Sequence, residues 1–317
     1  MNDIGHMKVI DDVRTAPEHF PGVVLTIGSF DGVHTGHRML LENLVSYSRS
    51  VCGESVVITF DPHPREVLSG QTESVNFLTS VDEKIKLIEQ LSVDYLVIIR
   101  FTRALSNKGA HEFIKDVLID KIGMKHLVLG YDHHLGRKKE GDFDTIRNYS
   151  EGFGVKVIKT DEVYSEGYPV SSTAIREALL RGRIDSANRL LGYNYPLTGK
   201  IVEGYRIGRT IGFPTANIQP CDTHKLIPGD GVYAVEVQID DQLLPGMLSI
   251  GVNPTVNHET SFRKIEVNIF DFNREIYGSK ITVFFRFRMR EEKRFDNVDQ
   301  LAFQMKLDKE QALKLLS

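Results

Sequence analysis

Two histidines, His34 and His37, stand three residues apart where a predicted strand gives way to a predicted helix. Imidazoles at this spacing share one face of a helix and can donate hydrogen bonds to phosphate oxygens. The glycines around them let the backbone turn tightly, and the helix offers free N–H groups and a positive dipole end to an anion. The sequence therefore predicts a phosphate site here. Its other candidate members are Gly28, Phe30, Asp31 and Gly36.

The histidine pair has two other interpretations. An ordinary strand-to-helix turn with a surface histidine would show the same glycines. Histidine pairs at helical spacing also bind zinc, although neither a cysteine nor a glutamate lies nearby at a proper ligand spacing. The residues alone leave all three interpretations open.

Another predicted helix opens with Ser171-Ser172-Thr173-Ala-Ile-Arg176. Serine and threonine are good N-caps, so a plain helix start with a solvated arginine is the simpler interpretation. Arginine also suits phosphate, because its charge is fixed and its geometry is bidentate. Ser172, Thr173 and Arg176 are therefore candidates for further phosphate contacts.

A basic loop that contains several glycines follows the apolar run HLVLG and includes Asp132 and Lys139. A loop at the carboxyl end of a strand is a plausible second wall of a pocket. The alternative is a solvated, charged turn.

Spaced glycines and the tetrapeptide Pro-Thr-Ala-Asn mark a second candidate site. Backbone amides of such a loop can hold a polyphosphate, and the oxygens of Thr215 and Asn217 suit a Mg²⁺ ion that also binds nucleotide phosphates. The loop is not a Walker A motif, because Gly-Lys-Ser/Thr does not follow, and the glycines alone could be turns or bulges between strands. Its other candidates are Gly204, Gly208, Arg209 and Gly212.

Glu266 lies in an alternating segment, with Ile265 and Val267 on the opposite face. A carboxylate on a strand is usually solvated, so composition alone does not single it out. The later run Phe284–Arg290 interleaves arginine with aromatic residues, as some nucleic-acid-binding segments do. Its period of two is better explained by a half-buried strand.

Strand-like and helix-like segments alternate over about the first 160 residues, which predicts a doubly wound parallel sheet. Ser80 and Glu83 form a predicted capping box at one of the helices. Ligands of such sheets bind at the carboxyl ends of the strands, so the loops after Ile27 and Leu129 are the ones expected to carry a site.

Two short helices closed by glycines precede a change of pattern near Tyr195. The rest alternates apolar and polar residues between turn signals, which predicts a small closed antiparallel β-barrel. Asn297 and Gln300 are predicted to cap a terminal amphipathic helix. We expect domains at 1–182 and 183–317, with a linker at about 183–196.

Composition narrows the class of protein. A length of 317 residues predicts two domains, and 41% hydrophobic with 26% charged residues is ordinary for globular chains. The sequence contains neither a membrane-length apolar window nor a secretory h-region, and free Cys52 and Cys221 fit a reducing cytoplasm. The net charge of −4 gives no bulk reason to bind nucleic acid. We therefore expect a soluble cytoplasmic enzyme, and the sequence leaves its oligomeric state open.

The motifs carry a resemblance to known proteins. Residues 28–37 are similar to the HxGH signature of the nucleotidyltransferase superfamily, in the form GxFDGVHxGH, and residues 171–176 to its SSTxIR element. Residues 204–217 resemble the riboflavin kinase signature GxxxGRxxGFPTAN. The order of these motifs, from about Val23 to Leu313, resembles that of the bacterial bifunctional riboflavin kinase/FMN adenylyltransferases.

This resemblance implies two reactions and a role for several residues. The barrel would phosphorylate riboflavin to FMN with ATP and Mg²⁺, with Glu266 as the catalytic base and Thr215 and Asn217 at the metal. The first domain, a nucleotidyltransferase fold, would adenylylate FMN to FAD and release pyrophosphate. There His34, His37 and Arg176 would be catalytic. ATP, riboflavin and FMN are the expected partners, with neither nucleic acid nor a membrane.

The loop predicted to face the flavin departs from the family pattern. Aromatic residues are usual where this chain has His133 and Leu135, and an arginine is usual at Lys139. We hypothesise that FMN binding is weaker here, or that it depends on other aromatic residues such as Phe60 or Tyr131.

Two rival functions follow from the same residues. A nucleotidyltransferase of another specificity, such as a cytidylyltransferase or a pantetheine-phosphate adenylyltransferase, would need neither PTAN nor a barrel. A non-catalytic flavin or nucleotide carrier would not need intact HxGH, PTAN and Glu266.

Overall fold

Contacts divide the chain into two compact units, Met1–Ser171 and Ser172–Ser317. A helix long and apolar enough to cross a membrane is absent from the part of the chain that the structure describes. This structure is a computed structural model that describes residues 6–11, 22–69, 76–131, 135–136, 141–165, 167–203, 212–252 and 263–317.

The first unit is built on a six-stranded sheet, in which every neighbouring pair of strands is parallel. Its strand order is β1-β4-β3-β2-β5-β6, and a two-stranded hairpin, β7-β8, lies outside it. The predicted parallel sheet is confirmed, but the three-residue strand β1 was too short to be recognised by its pattern. The strands are β1 (Lys8–Ile10), β2 (Val24–Ile27), β3 (Ser55–Asp61), β4 (Tyr95–Arg100), β5 (His126–Leu129), β6 (Lys156–Lys159), β7 (Tyr164–Ser165) and β8 (Tyr168–Pro169).

Apolar side chains on both faces of the sheet form its core. Leu25 and Ile58 belong to one buried cluster, whereas Val24 and Val57 belong to another. This alternation explains why these strands read as continuous apolar runs: both of their faces are covered.

The helices of the first unit follow the predicted alternation. The Ser80–Glu83 capping box is present, with Ser80 Oγ accepting from the Glu83 N–H at 3.2 Å and Glu83 Oε2 accepting from the Ser80 N–H at 3.0 Å. The helices are α1 (Thr35–Ser50), α2 (Pro64–Ser69), α3 (Val81–Glu89), α4 (Arg103–Ser106), α5 (Ala110–Phe113), which continues as a π-helical segment (Ile114–Ile119), and α6 (Phe143–Glu151).

The strand order fixes where a ligand can bind in this unit. β2 lies between β3 and β5, so the chain leaves β2 toward one side of the sheet and later returns to its other side. A crevice opens at such a switch point, at the carboxyl ends of the two strands. The loops after Ile27 and Leu129 therefore begin side by side, as the sequence predicted.

The second unit contains a closed six-stranded barrel in the order β10-β13-β12-β11-β14-β9, with antiparallel neighbours. The predicted barrel is confirmed, and strand β10, which begins inside PTAN, was missed because that segment was interpreted as a loop. Its strands are β9 (Pro196–Val202), β10 (Ala216–Pro220), β11 (Gly231–Ile239), β12 (Gln242–Val252), β13 (Arg263–Ile269) and β14 (Lys280–Arg290).

Among the residues that the structure describes, three helices accompany the barrel: α7 (Ser172–Leu180), α8 (Ile184–Leu191) and α9 (Val298–Leu316). Asn297 caps α9 by accepting from the Gln300 N–H at 2.9 Å, as predicted. Asp308 of α9, which is buried, pairs with Arg290 of β14 at 2.7 Å. This pair and the neighbouring apolar cluster attach the terminal helix to the barrel.

The division between the units falls between Ser171 and Ser172. The sequence predicted the boundary after residue 182, eleven residues further along the chain. α7 groups with the second unit because it packs against α8. In addition, the Gly229 N–H donates to the Leu179 carbonyl at 2.8 Å. A fragment that begins at residue 183 lacks these contacts.

Two fragments, 172–317 and 183–317, test this grouping. We expect both to fold and the longer one to have the larger free energy of unfolding. It keeps the packing of α7 on α8 and the bond to Gly229, and that bond alone is worth about 1 kcal/mol. Denaturant unfolding followed by circular dichroism measures the difference. Equal stabilities would contradict the place of α7 in the second unit.

Candidate active sites

The turn after β2 brings the two histidines together. His34 is the N-cap of α1, and its Nδ1 accepts from the His37 N–H at 3.3 Å. A neutral His34 therefore carries its proton on Nε2, which makes that nitrogen a donor. The two rings stack with their centroids 3.6 Å apart. The predicted pair is thus one unit, in which the backbone of one histidine orients the ring of the other.

Aromatic side chains approach two of the predicted glycines closely. A Cβ at Gly36 would lie 3.3 Å from the His34 ring, and a Cβ at Gly28 would lie 3.2 Å from the Phe30 ring. The Gly28 N–H already donates to the Ile58 carbonyl at 3.0 Å. Gly28 therefore continues the strand contacts of β2, and its amide is used within the protein.

The turn is held in a strained conformation. Phe30 and Val33 have φ angles of 47° and 35°, which non-glycine residues seldom adopt. Both side chains are buried in the same apolar cluster, which holds this backbone in place. The Phe30 ring also meets the edge of the His37 ring at 5.3 Å.

Asp31 is buried beneath the turn with 2% of its surface exposed. Its Oδ1 accepts from the Leu78 N–H at 2.8 Å and the Thr79 N–H at 3.2 Å, while the Gly32 N–H donates to Thr79 Oγ1 at 3.1 Å. Phe30 and Asp31 were predicted as ATP contacts. Their buried side chains support the turn, and their contact with ATP stays a prediction.

His37 is held neutral by its surroundings. Burial lowers the pKa of His37 well below its ordinary value, and the neighbouring His34 and Lys84 lower it further. Its Nδ1 is buried without a hydrogen-bond partner among the described residues. A neutral imidazole at this place can bind a phosphate group by hydrogen bonding rather than by a full charge.

The Ser-Ser-Thr-x-Ile-Arg motif lies where α7 begins. Ser172 and Arg176 are half-buried and four residues apart, so they share a face of the helix, and Thr173 is exposed. α7 belongs to the second unit, whereas the histidines belong to the first. Their joint action on one nucleotide stays a prediction.

The loop predicted to face the flavin is only partly described. Asp132, His133 and Lys139 lie outside the described residues. Leu135 does not replace a flavin-stacking ring, because it is 8% exposed and belongs to the core of the first unit.

Phe60 at the end of β3 is the better aromatic candidate for the flavin side. It is half-buried and meets Phe101, which follows β4, edge to face with the centroids 5.3 Å apart. Both rings lie at the carboxyl edge of the sheet. Phe60 was predicted from the sequence, whereas Phe101 was missed, although the position of Phe101 one residue after a strand end was a usable signal.

The second candidate site is assembled across neighbouring strands of the barrel. Asn217 of β10 is directly opposite Glu266 of β13, and Glu266 is directly opposite Ser249 of β12. Thr215 immediately precedes β10. Strand pairing thus brings the predicted metal-binding and catalytic residues together. The structure describes Gly212, with a φ of 79°, but Gly204, Gly208 and Arg209 lie outside the described residues.

Two supporting residues at this site were missed. Lys264 forms an ion pair with the Glu266 carboxylate, and Asn268 donates to the Pro214 carbonyl at 2.7 Å. Both stand two residues from Glu266 on the same strand, so they share its face. That alternation was the signal in the sequence. Asn268 fixes the start of the segment that carries Thr215.

A cavity opens beside Thr215. It is lined by Pro214 and Thr215, by apolar Val267 and Ile269 of β13, and by Phe272, Arg274 and Tyr277 from the segment after that strand. The Arg274 guanidinium lies over the Phe272 ring at 5.1 Å. An apolar wall, aromatic rings and a few polar groups make a site for a flat, partly polar molecule.

Comparisons with known proteins give a family for each half of the chain. Residues 16–174 match the family model of FAD synthetase, and residues 191–316 match that of riboflavin kinase. The bifunctional riboflavin kinase/FMN adenylyltransferase of Listeria monocytogenes is 36% identical over 288 residues, 90% of each chain. That of Escherichia coli K12 is 36% identical over 303 residues, 95% of each chain.

A solved structure matches along nearly the whole chain. It is titled as a macrolide-efflux protein from Streptococcus pneumoniae, is 33% identical, covers 96% of this chain and 98% of its own, and superposes with a TM-score of 0.87. Both halves of the chain thus match a family model, and full-length relatives contain the two halves in the same order. This chain belongs to the family of bifunctional riboflavin kinase/FMN adenylyltransferases.

Proposed function

We propose that the two units catalyse consecutive reactions. The second unit phosphorylates the 5′-hydroxyl of riboflavin with ATP, and the first joins the resulting FMN to the AMP portion of a second ATP. The observation that carries this proposal is the register of the barrel strands, which sets Asn217 directly opposite Glu266 and brings Thr215, two residues before Asn217, to the same site. The same chain also has the histidine turn at the switch point of the parallel sheet.

In the first reaction, Glu266 is the base. The riboflavin hydroxyl oxygen attacks the γ-phosphorus of ATP, its proton passes to the Glu266 carboxylate, and ADP leaves. Phosphoryl transfer needs positioning and charge neutralisation more than a covalent intermediate. Lys264 orients the carboxylate through their ion pair, and Asn268 positions Thr215 through Pro214.

Magnesium fits the donor set of this site. Thr215 offers a hydroxyl oxygen and Asn217 an amide oxygen, and Asn217 is 9% exposed beside the carboxylate of Glu266. Mg²⁺ prefers hard oxygen ligands together with substrate phosphates, so these two residues would hold it. When bound, the ion neutralises negative charge on the transferred phosphate.

In the second reaction, an FMN phosphate oxygen attacks the α-phosphorus of ATP. The bond between the α-phosphorus and the bridging oxygen breaks, and pyrophosphate leaves. His34 donates a hydrogen bond from Nε2 to a phosphate oxygen, and the neutral His37 binds the phosphates beside it. Negative charge that develops on the phosphates is thus stabilised by hydrogen-bond donors that are already in place. We assign Ser172, Thr173 and Arg176 to the phosphates as well, since hydroxyls and a guanidinium suit them.

Two substitutions should separate the reactions. We expect His37→Ala to stop FAD formation while FMN accumulates from riboflavin, and Glu266→Gln to block FMN formation while supplied FMN is still converted. Loss of a base lowers a rate on the order of 10²–10⁴-fold. Chromatography of flavins after incubation with ATP and Mg²⁺ measures both reactions, and circular dichroism shows whether each variant is folded. Loss of both reactions in either folded variant would contradict the assignment.

A third substitution tests the flavin side of the first unit. We expect Phe60→Leu to raise the KM for FMN about fivefold and to leave the KM for ATP unchanged, because leucine loses an aromatic contact worth ~1 kcal/mol. Phe153→Leu is the matched control, since this partly exposed ring precedes β6 at the opposite edge of the sheet. An unchanged KM for FMN would show that Phe60 does not contact the flavin.

A further inference from the structure

Lys84 of α3 is buried beneath the histidine turn. It is 4% exposed, and its Nζ donates to Thr59 Oγ1 of β3 at 3.2 Å. Thr59 Oγ1 in turn donates to the Ser29 carbonyl in the turn at 3.3 Å. This chain of hydrogen bonds joins α3, β3 and the turn after β2.

A buried lysine is uncommon, and burial of its charge destabilises the folded protein unless opposite charges or hydrogen bonds compensate it. Burial lowers the pKa of Lys84 to about 8, against the attraction of Asp31 in the turn and Asp61 in β3. The same ammonium lies near His37 of α1, and its positive charge helps to lower the pKa of His37. The helix thus contributes one positive charge to a cluster of two carboxylates and the histidine pair.

We propose that Lys84 is a positioning residue for adenylyl transfer, whose buried ammonium fixes the phosphate-binding turn through Thr59 and places a positive charge beside His37. This inference rests on the function proposed for the first unit. Asp31 and Lys84 both support the turn from beneath, and the ammonium offsets part of the negative charge of Asp31 and Asp61 below the phosphate site. Neutral His37 then stacks on His34 without the repulsion of two imidazolium rings.

Replacement of the ammonium tests the proposal. We expect Lys84→Met to lower kcat for FAD formation on the order of tenfold, below the 10²–10³-fold typical of a directly contacting donor, because Lys84 acts through the turn. Riboflavin phosphorylation by the same variant should be unchanged and reports on folding of the other unit. Lys86→Met, on the exposed side of the same helix, is the control and should retain both activities.

The pKa of His37 distinguishes this role from packing alone. NMR titration of the imidazole should give a higher pKa for His37 in Lys84→Met than in the wild type, because a neighbouring positive charge has been removed. An unchanged pKa would overturn the proposal. This measurement needs no substrate, so it stands apart from the proposed function, which fails if the wild-type protein makes no FAD from FMN and ATP.

The pH dependence of the wild-type rate offers a second test. Adenylyl transfer should decline as the pH rises through about 8, because the buried ammonium loses its proton there. Lys84→Gln, which keeps a donor for Thr59 without the charge, should lack this decline. A wild-type rate that stays level through this range would overturn the proposal.

Discussion

The buried carboxylate of Asp31 is the constraint on which the first site depends. A parallel sheet places the turn after β2 at the switch point, but the turn itself is strained at Phe30 and Val33. Asp31 holds it by accepting from two backbone N–H groups just ahead of α3. Removing such an acceptor from a buried site costs about 1–3 kcal/mol per donor left unpaired. The histidine pair is therefore positioned by a residue that does not need to touch the nucleotide.

In the barrel, the register of the strands positions the residues of the second site. A β-strand presents alternate residues on one face, so Glu266, Lys264 and Asn268 share a face of β13. Antiparallel pairing then sets Asn217 on one side of Glu266 and Ser249 on the other. A shift of one residue would turn every one of these side chains to the opposite face. The closed barrel resists such a shift because each strand is paired on both sides.

The two sites use charge in different ways. In the barrel, Glu266, which we propose as the base for a hydroxyl proton, is a carboxylate oriented by its ion pair with Lys264. In the sheet, burial lowers the pKa of His37, and the neighbouring His34 and Lys84 lower it further, so its charge is suppressed. One site is suited to removing a proton, and the other to donating hydrogen bonds to phosphates. That difference suits a kinase step followed by an adenylyl transfer, in which the product of the first is the substrate of the second.

The sequence by itself determined both folds, the motif positions and the family. Strand-helix alternation, the capping box at Ser80 and the alternating segments after Tyr195 are local patterns, and local hydrogen bonding and burial decide them. Only the tertiary structure showed that Asp31 supports the turn, that Leu135 packs in the core and that Lys84 lies beneath the histidines. These contacts join residues 47 or more positions apart for Asp31 and 25 apart for Lys84. Spacing along the chain does not encode such contacts, because strand order and packing bring the residues together.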